Sequence, residues 1–171
     1  MKLRWKPNVT VAALIERAGK YLLVEERSAE HPSVLLLNNP AGHLEPGESL
    51  IDAVVRETLE ETTCAFTPTA LIGIYLARPA AGLHSAAAAE HEVDVTYLRF
   101  AFTGTVGEPQ VSRTLDTAIE RTLWLTPHEI RASQDRHRSP LLLRCVEDHA
   151  AGRSYPLSLL QVDPSLLLEP T

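Results

Sequence analysis

The stretch from Ser49 to Thr62 constrains this chain most, because its spacing predicts one amphipathic helix whose two faces make different demands. Ile51, Val54, Val55, Thr58 and Thr62 recur at the helical period and gather on one side, which has to be buried against other elements. Ser49 stands where an N-cap belongs, with acidic Asp52 three residues on. Beside the apolar stripe, Glu57, Glu60 and Glu61 fall within about 100° of one another around the helix axis. Any fold built on this helix must pack one face and carry three carboxylates along its edge.

Carboxylates at i, i+3 and i+4 repel by a few tenths of a kcal/mol per pair. A solvated acidic face softens this with Lys or Arg four residues on, yet here those positions hold Glu61, Cys64 and Ala65. By spacing, no cation on the helix answers the trio, and Arg56 is left to pair elsewhere. Hard oxygen donors without thiols or imidazoles suit Mg²⁺ or Mn²⁺; an acidic helix in water is the simpler account of three glutamates taken alone. The preceding loop shifts the balance toward the metal. Pro40, Gly42, Pro46 and Gly47 shape a turn that can bring a backbone carbonyl, most simply that of Gly42, close to the helix carboxylates. The same turn can set Glu48 beside Arg56.

Gly42, Glu48, Arg56, Glu57, Glu60 and Glu61 stand at the spacing Gly, five residues, Glu, seven residues, Arg-Glu-x-x-Glu-Glu. This segment resembles the Nudix box, the signature of the Nudix hydrolases, with all six fixed positions filled. At ordinary residue frequencies a chance match somewhere in such a chain is roughly one in 10⁵. Two positions depart from the pattern. Thr58 stands where an aliphatic residue is usual and reads as a packing substitution on the core face. Thr63 replaces the glycine that normally follows the helix; a left-handed backbone there would cost a β-branched residue about 1–2 kcal/mol, so the helix is expected to end in another conformation.

Outside the box the chain is similar to the NudJ-type phosphatases among Nudix hydrolases over nearly its whole length. The carriers are Lys6-Pro7-Asn-Val-Thr-Val11, Pro40-Ala-Gly-His-Leu-Glu45, Leu98-Arg-Phe100, Arg138-Ser-Pro-Leu141 and Gly152-Arg-Ser-Tyr-Pro-Leu157. The resemblance implies an α+β fold, the Nudix αβα sandwich with a mixed β-sheet between helices. It implies metal-dependent hydrolysis of pyrophosphate linkages in nucleoside di- and triphosphates or thiamine-type pyrophosphates, releasing phosphate. The alternatives are a Nudix pyrophosphatase for ADP-ribose or dinucleoside polyphosphates, and a catalytically inactive nucleotide-sensing module, which the intact glutamate trio speaks against.

On this reading Glu57, Glu60 and Glu61, with the Gly42 carbonyl, hold Mg²⁺ or Mn²⁺; Glu57 doubles as base, and Arg56 and Glu48 complete the box. Glu120, at the start of a strand, is the expected further acid, with Glu108 as its rival and an ordinary strand-edge carboxylate as the plain alternative. Arg27, Arg78 and Arg99 end or interrupt apolar strands and are candidates for substrate phosphates, as against solvated strand ends. His43 adjoins the box and is a candidate substrate contact. Tyr75, Tyr97 and Phe100 are expected to pack in the core, with base stacking as the alternative.

The remaining pattern supports such a fold. Strands are expected over Val9–Ile15, its hairpin partner Tyr21–Glu25, an inner strand Val34–Leu37, and then Ala70–Ala77, Val93–Phe102 and about Glu120–Leu125. Asn38 to Gly42 reads as loop. Thr126-Pro-His-Glu129 opens a short capped helix, and Ser139-Pro140 opens another over Leu141 to His149 that Gly152 stops. The alanine-rich Pro79 to Glu92 reads as a mobile loop, or more sharply as a substrate lid.

The 171 residues suit a single domain, 1–171. Two cysteines, Cys64 and Cys145, are too few for a disulfide scaffold and fit a reducing cytoplasm. No stretch approaches the ~20 apolar residues of a membrane span, and Met1-Lys-Leu-Arg-Trp-Lys-Pro7 leads into alternation rather than a signal segment. A net charge of −6 argues against nucleic acid or an anionic membrane as partner. It does not argue against small phosphates, because the Glu57, Glu60 and Glu61 trio supplies half of that excess in one place. The expected assembly is a monomer or homodimer.

Overall fold

The computed structural model describes residues 5–28, 31–78 and 95–167. In chain order these form β1 (Asn8–Leu14), β2 (Glu16–Arg17), β3 (Lys20–Arg27), β4 (Leu35–Asn38) and β5 (Ala41–His43), then α1 (Leu50–Thr62). There follow β6 (Phe66–Ala77), β7 (Tyr97–Val106), β8 (Ile119–Leu125), α2 (Pro127–Ala132) and α3 (Leu141–Ala150). Most expected elements are present with ends shifted by a few residues. The expected loop insert from 79 to 92 lies outside the described residues, as do residues 93 and 94 of the expected seventh strand.

One sheet runs β5-β1-β7-β6 and is mixed: β1 and β7 are parallel, while β5 and β6 join antiparallel. In the other, β3 pairs antiparallel with β2, β4 and β8. The hairpin expected between Val9–Ile15 and Tyr21–Glu25 is therefore corrected. Ala18 (φ 52) and Gly19 (φ 77) make the tight turn, but only Glu16 and Arg17 close on Lys20 and Tyr21. β1 belongs to the other sheet, and a single Leu22 N–H donates to the Ile15 carbonyl, 2.9 Å, where the chain crosses over.

Burial explains that crossing. β1 is covered on both faces: Val11 and Ala13, with Ile15, pack in a cluster with Ala53 and Val54 of α1, while Leu14 packs the other way with Ile72, Ala101 and Cys145 of α3. Strand alternation thus lays α1 on one side and α3 on the other. β3 repeats the division, with Leu22 turned to the α1 cluster and Tyr21 and Leu23 packed with Ile130, Leu142 and Val146 of α2 and α3. The result is the αβα sandwich.

Two local expectations change. Among the described residues β4 has β3 as its one strand partner rather than sitting between strands; it is buried because the Arg138 N–H donates to the Leu37 carbonyl, 2.9 Å, covering its outer edge. Part of the expected loop, Ala41–His43, is a strand paired with Thr10, Val11 and Ala12. The N-caps of α1 and α2 follow the sequence. Ser49 Oγ accepts the Asp52 N–H at 3.1 Å, and the Asp52 carboxylate returns to the Ser49 N–H at 3.3 Å. Thr126 and Glu129 form the same box on α2. Among the described residues no helix is long and apolar enough to cross a membrane.

Candidate active site

β5 lies directly over α1, and its middle residue is glycine for a spatial reason. A Cβ on Gly42 would stand 2.0 Å from the Glu57 carboxyl carbon and 2.1 and 2.2 Å from its oxygens. With Glu57 where it stands no side chain fits there, so the missing Cβ is what lets the strand backbone rest against the Glu57 carboxylate. Next to it the Ala41 N–H donates to Glu61 Oε2 at 2.8 Å. The loop and helix that are separate in sequence become one surface.

Arg56 ties that surface together. Its Nε and Nη2 donate to both oxygens of Glu48, at 3.0 and 2.7 Å, in a two-point grip. Nη1 donates to Glu57 at 2.8 Å and Glu60 at 3.2 Å, and Nη2 also reaches the His43 carbonyl at 3.0 Å. This corrects the expectation that no cation on the helix answers the trio: Arg56 answers Glu57 and Glu60, and Glu61 is left to Ala41. The spacing rule failed because Arg56 precedes the trio and reaches forward along the helix.

The electrostatics differ sharply between Glu48, Glu57 and Glu61. Hydrogen bonds from Arg56 hold Glu48 below the usual carboxylate range. Burial pushes Glu57 up, with Arg56 pulling it back. Glu61 is pushed to about 9, first by burial and then by the negative charges of Glu26, Glu57 and Asp116, against the Ala41 N–H that lowers it. Asp116 belongs here because its N–H donates to the Glu60 carbonyl at 3.0 Å.

Among the described residues no three acidic, His or Cys side chains converge closely enough to enclose an ion, and Arg56 Nη1 bridges Glu57 and Glu60. The donor set nevertheless fits a hard divalent cation. It is all oxygen, the glycine notch at 42 exposes backbone beside Glu57, and Glu61 is a buried acid with like charges around it.

On the other side of Gly42 lies a cavity of about 130 Å³. Of the expected substrate residues, His43, Arg78 and Arg99 line it, together with Glu26, Tyr97 and Arg138. Arg27 does not; it pairs with Glu120 on a half-exposed surface, so these two expected site residues face each other. Glu108 is likewise engaged at the surface, by Arg17 at 3.3 Å. Phe100 packs against the α1 cluster and the Tyr75 hydroxyl donates to Asp148 at 3.0 Å, whereas Tyr97 is at the cavity, its ring 6.1 Å from that of His43.

Glu26, Asp116 and Arg138 are the residues that sequence reading missed. The signal for Glu26 was available: two adjacent acids, Glu25 and Glu26, end an apolar strand, and alternation sends one to each face. Glu25 is gripped by Arg121 at 2.7 Å and by Arg136, whereas Glu26 turns to the cavity with Arg138 Nε at 3.4 Å. Asp116 and Arg138 sit in loops, where only the fold decides what they approach.

The departures from the box are also settled locally. Thr58 is fully buried and its hydroxyl donates back to the Val54 carbonyl at 2.7 Å, as a packing substitution should. Thr63 overturns the expectation made for it: it caps the helix in the left-handed conformation, φ 59 and ψ 10, with its N–H on the Leu59 carbonyl. Its own carbonyl accepts the Gln110 N–H at 3.0 Å, so the surroundings hold the strained residue in place.

A family model described as the NUDIX domain matches residues 5–145. Phosphatase NudJ of Escherichia coli K12 is 31% identical over 156 residues, covering 91% of this chain and 92% of its own. A solved NUDIX hydrolase from Nitrosomonas europaea is 49% identical with a TM-score of 0.80, covering 92% of this chain and 98% of that one. The MutT protein of Methanosarcina mazei Go1, at 19% identity and a TM-score of 0.63, covers 89% of this chain and 99% of its own, and shares the fold.

Proposed function

Since the chain belongs to the Nudix family and is a hydrolase of it, we propose that it cleaves the pyrophosphate linkage of nucleoside di- and triphosphates or of thiamine-type pyrophosphates, releasing phosphate. The observation that carries the reading is the contact of Glu57 with the Gly42 backbone, beside a buried Glu61 pushed up by like charges. Glu57, Glu60, Glu61 and the Gly42 carbonyl are the groups that would hold Mg²⁺ or Mn²⁺. Such an ion supplies charge neutralisation at the phosphoanhydride oxygens and acidifies a bound water.

The chain's own residues do the rest. Arg56, held by Glu48, keeps Glu57 in register with the strand above it. Glu57, raised by burial, takes the proton from the water that attacks phosphorus as the bridging P–O bond breaks and the leaving group departs with the electron pair. Arg78, Arg99 and Arg138 line the adjoining cavity beside His43 and give it the positive charge a phosphorylated ligand needs. A cytoplasmic setting fits the two free, buried thiols of Cys64 and Cys145, and the assembly is a monomer or homodimer.

The test is a panel of nucleoside di- and triphosphates, thiamine pyrophosphate and ADP-ribose with Mg²⁺, reading orthophosphate against pyrophosphate. Orthophosphate from the diphosphates supports this reading. Cleavage of ADP-ribose alone into two phosphorylated halves replaces the substrate class, and hydrolysis of none of them removes the activity.

A further inference from the structure

β3 ends in two adjacent acids that hold two arginines from one short stretch of chain. Glu25, 1% exposed, accepts from Arg136 Nη2 on one carboxylate oxygen and from Arg121 Nε, at 2.7 Å, on the other. Glu26 pairs with Arg138 Nε at 3.4 Å. Alternation along the strand turns Glu25 and Glu26 to opposite faces, so Arg136 and Arg138 take hold of β3 from both sides. They can do so, two residues apart, because the 3-10 turn Gln134–Arg136 gives way at His137 to extended backbone, φ −73 and ψ 130.

This stretch is anchored at few points. His137 forms an isolated parallel bridge with Leu37, the Arg138 N–H donates to the Leu37 carbonyl at 2.9 Å, and His137 Nε2–H donates to the Ile130 carbonyl at 3.0 Å. Arg138 and Ser139 then line the cavity beside Gly42, so whatever sets the register here also places a charge in that wall. Glu25 is an expensive way to do it. Its carboxylate is buried while the side chains of Arg136 and Arg121 are 44% and 61% exposed. Pairs of this kind offset little more than the cost of desolvating the acid. What the arrangement contributes beyond that is geometry.

We propose that Glu25 is a positioning residue for the site: through Arg136 it sets the register of residues 136–139 and so keeps the Arg138 guanidinium in the cavity wall. Glu25 itself is turned away from the cavity and touches no ligand. The inference rests on the hydrolase reading only for what Arg138 meets there, a phosphorylated ligand.

Calorimetric titration of inorganic pyrophosphate into the full chain in EDTA reads the effect of this charge without turnover. Arg138→Met is expected to weaken binding about 10-fold, and Arg136→Met and Glu25→Met each about 3-fold or more. Glu25→Met removes a negative charge, so long-range attraction alone would tighten the binding of an anion; positioning loosens it. In the double variant Arg136→Met/Arg138→Met there is no guanidinium left to misplace. Its affinity should therefore stay within about 2-fold of Arg138→Met alone, whereas a loss of charge or of stability adds. Hydrogen exchange at the Arg138 amide should quicken in Arg136→Met while the amides of β3 keep their protection. Tighter binding by Glu25→Met, an additive loss in the double variant, unchanged exchange at Arg138, or no binding of pyrophosphate by the intact protein overturns the proposal. Should Glu25→Met not fold, the Arg136 and Arg138 variants decide by themselves. A coupled loss in a protein that hydrolyses nothing in the panel upholds the positioning role and sinks the activity; hydrolysis with additive losses does the reverse.

Discussion

Gly42 and Glu57 are in contact without room for a methyl group: a Cβ on Gly42 would meet the Glu57 carboxyl carbon at 2.0 Å. Strand β5 and helix α1 are thereby fixed to one another at the point where the chemistry is proposed to occur. The carboxylate proposed as the base is positioned by an absence.

Gly42→Ala therefore has to push Glu57 aside or lift β5 off the helix. A displacement of about 1 Å is enough to lower turnover about 100-fold. Steady-state kinetics beside a thermal melt separate the two effects, and unimpaired turnover in a folded Gly42→Ala protein would show that Glu57 does not act from this position.

Glu61→Gln should separate stability from activity in opposite directions. The amide keeps an oxygen for the Ala41 N–H while removing a buried acid that Glu26, Glu57 and Asp116 disfavour. In EDTA the variant is expected to melt at or above the temperature of the parent. Mg²⁺ should raise the parent's melting temperature, by linkage, and leave the variant's nearly unmoved. Turnover should fall by about 10²–10⁴-fold, the range for losing a group that acts in proton transfer or charge stabilisation. Full activity in EDTA, or in Glu61→Gln with Mg²⁺, contradicts the metal assignment.

Thr63→Gly relieves a left-handed β-branched residue, which costs about 1–2 kcal/mol. Glycine returns part of that through the greater freedom of the unfolded chain, about 0.5–1 kcal/mol. Urea unfolding should show stability unchanged or up to about 1 kcal/mol higher, with hydrolysis retained. A tenfold loss of hydrolysis would mean that Thr63 shapes the site rather than merely ending the helix.

His149 makes stability fall on acidification. Burial holds its imidazole below the ordinary value of 6.5. The Thr103 hydroxyl donates to the Leu14 carbonyl, so it accepts from His149 Nε2 at 3.1 Å, leaving Nδ1 as acceptor for the Tyr21 hydroxyl at 2.7 Å. The neutral ring is the one this arrangement suits. Below pH 6.5 the unfolded chain binds the proton first, so this contribution is complete above that pH, declines as pH drops toward the folded value, and is flat beneath it. Urea midpoints at pH 7.5, 6.5 and 5.5 should draw closer together in His149→Gln than in the parent. An identical spacing in both would show that His149 is not responsible; His43 and His137, lowered in the same direction, are common to both proteins.

The helix from Leu50 to Thr62, its Ser49 cap and its buried stripe were legible because periodicity and capping are local, written within a few turns of one chain segment. The box was legible for the same reason: Gly42, Glu48, Arg56 and the glutamates lie within twenty residues of one another. Pairings made at long range were not. Whether β1 joins β3 or β7 depends on which packing buries both of its faces, and that is settled by α1 and α3 arriving from elsewhere in the chain. Likewise Arg27 and Arg99 look alike as cations in apolar strands, yet one meets Glu120 at the surface and the other is buried in a cavity wall where Glu26 and Glu61 act on its charge. Sequence alone determined the chemical identity of the site, three carboxylates and a glycine at family spacing. Only the tertiary structure decided which carboxylate is buried, which is held by Arg56, and which side chains surround the cavity, because burial and charge depend on neighbours that adjacency in the chain does not supply.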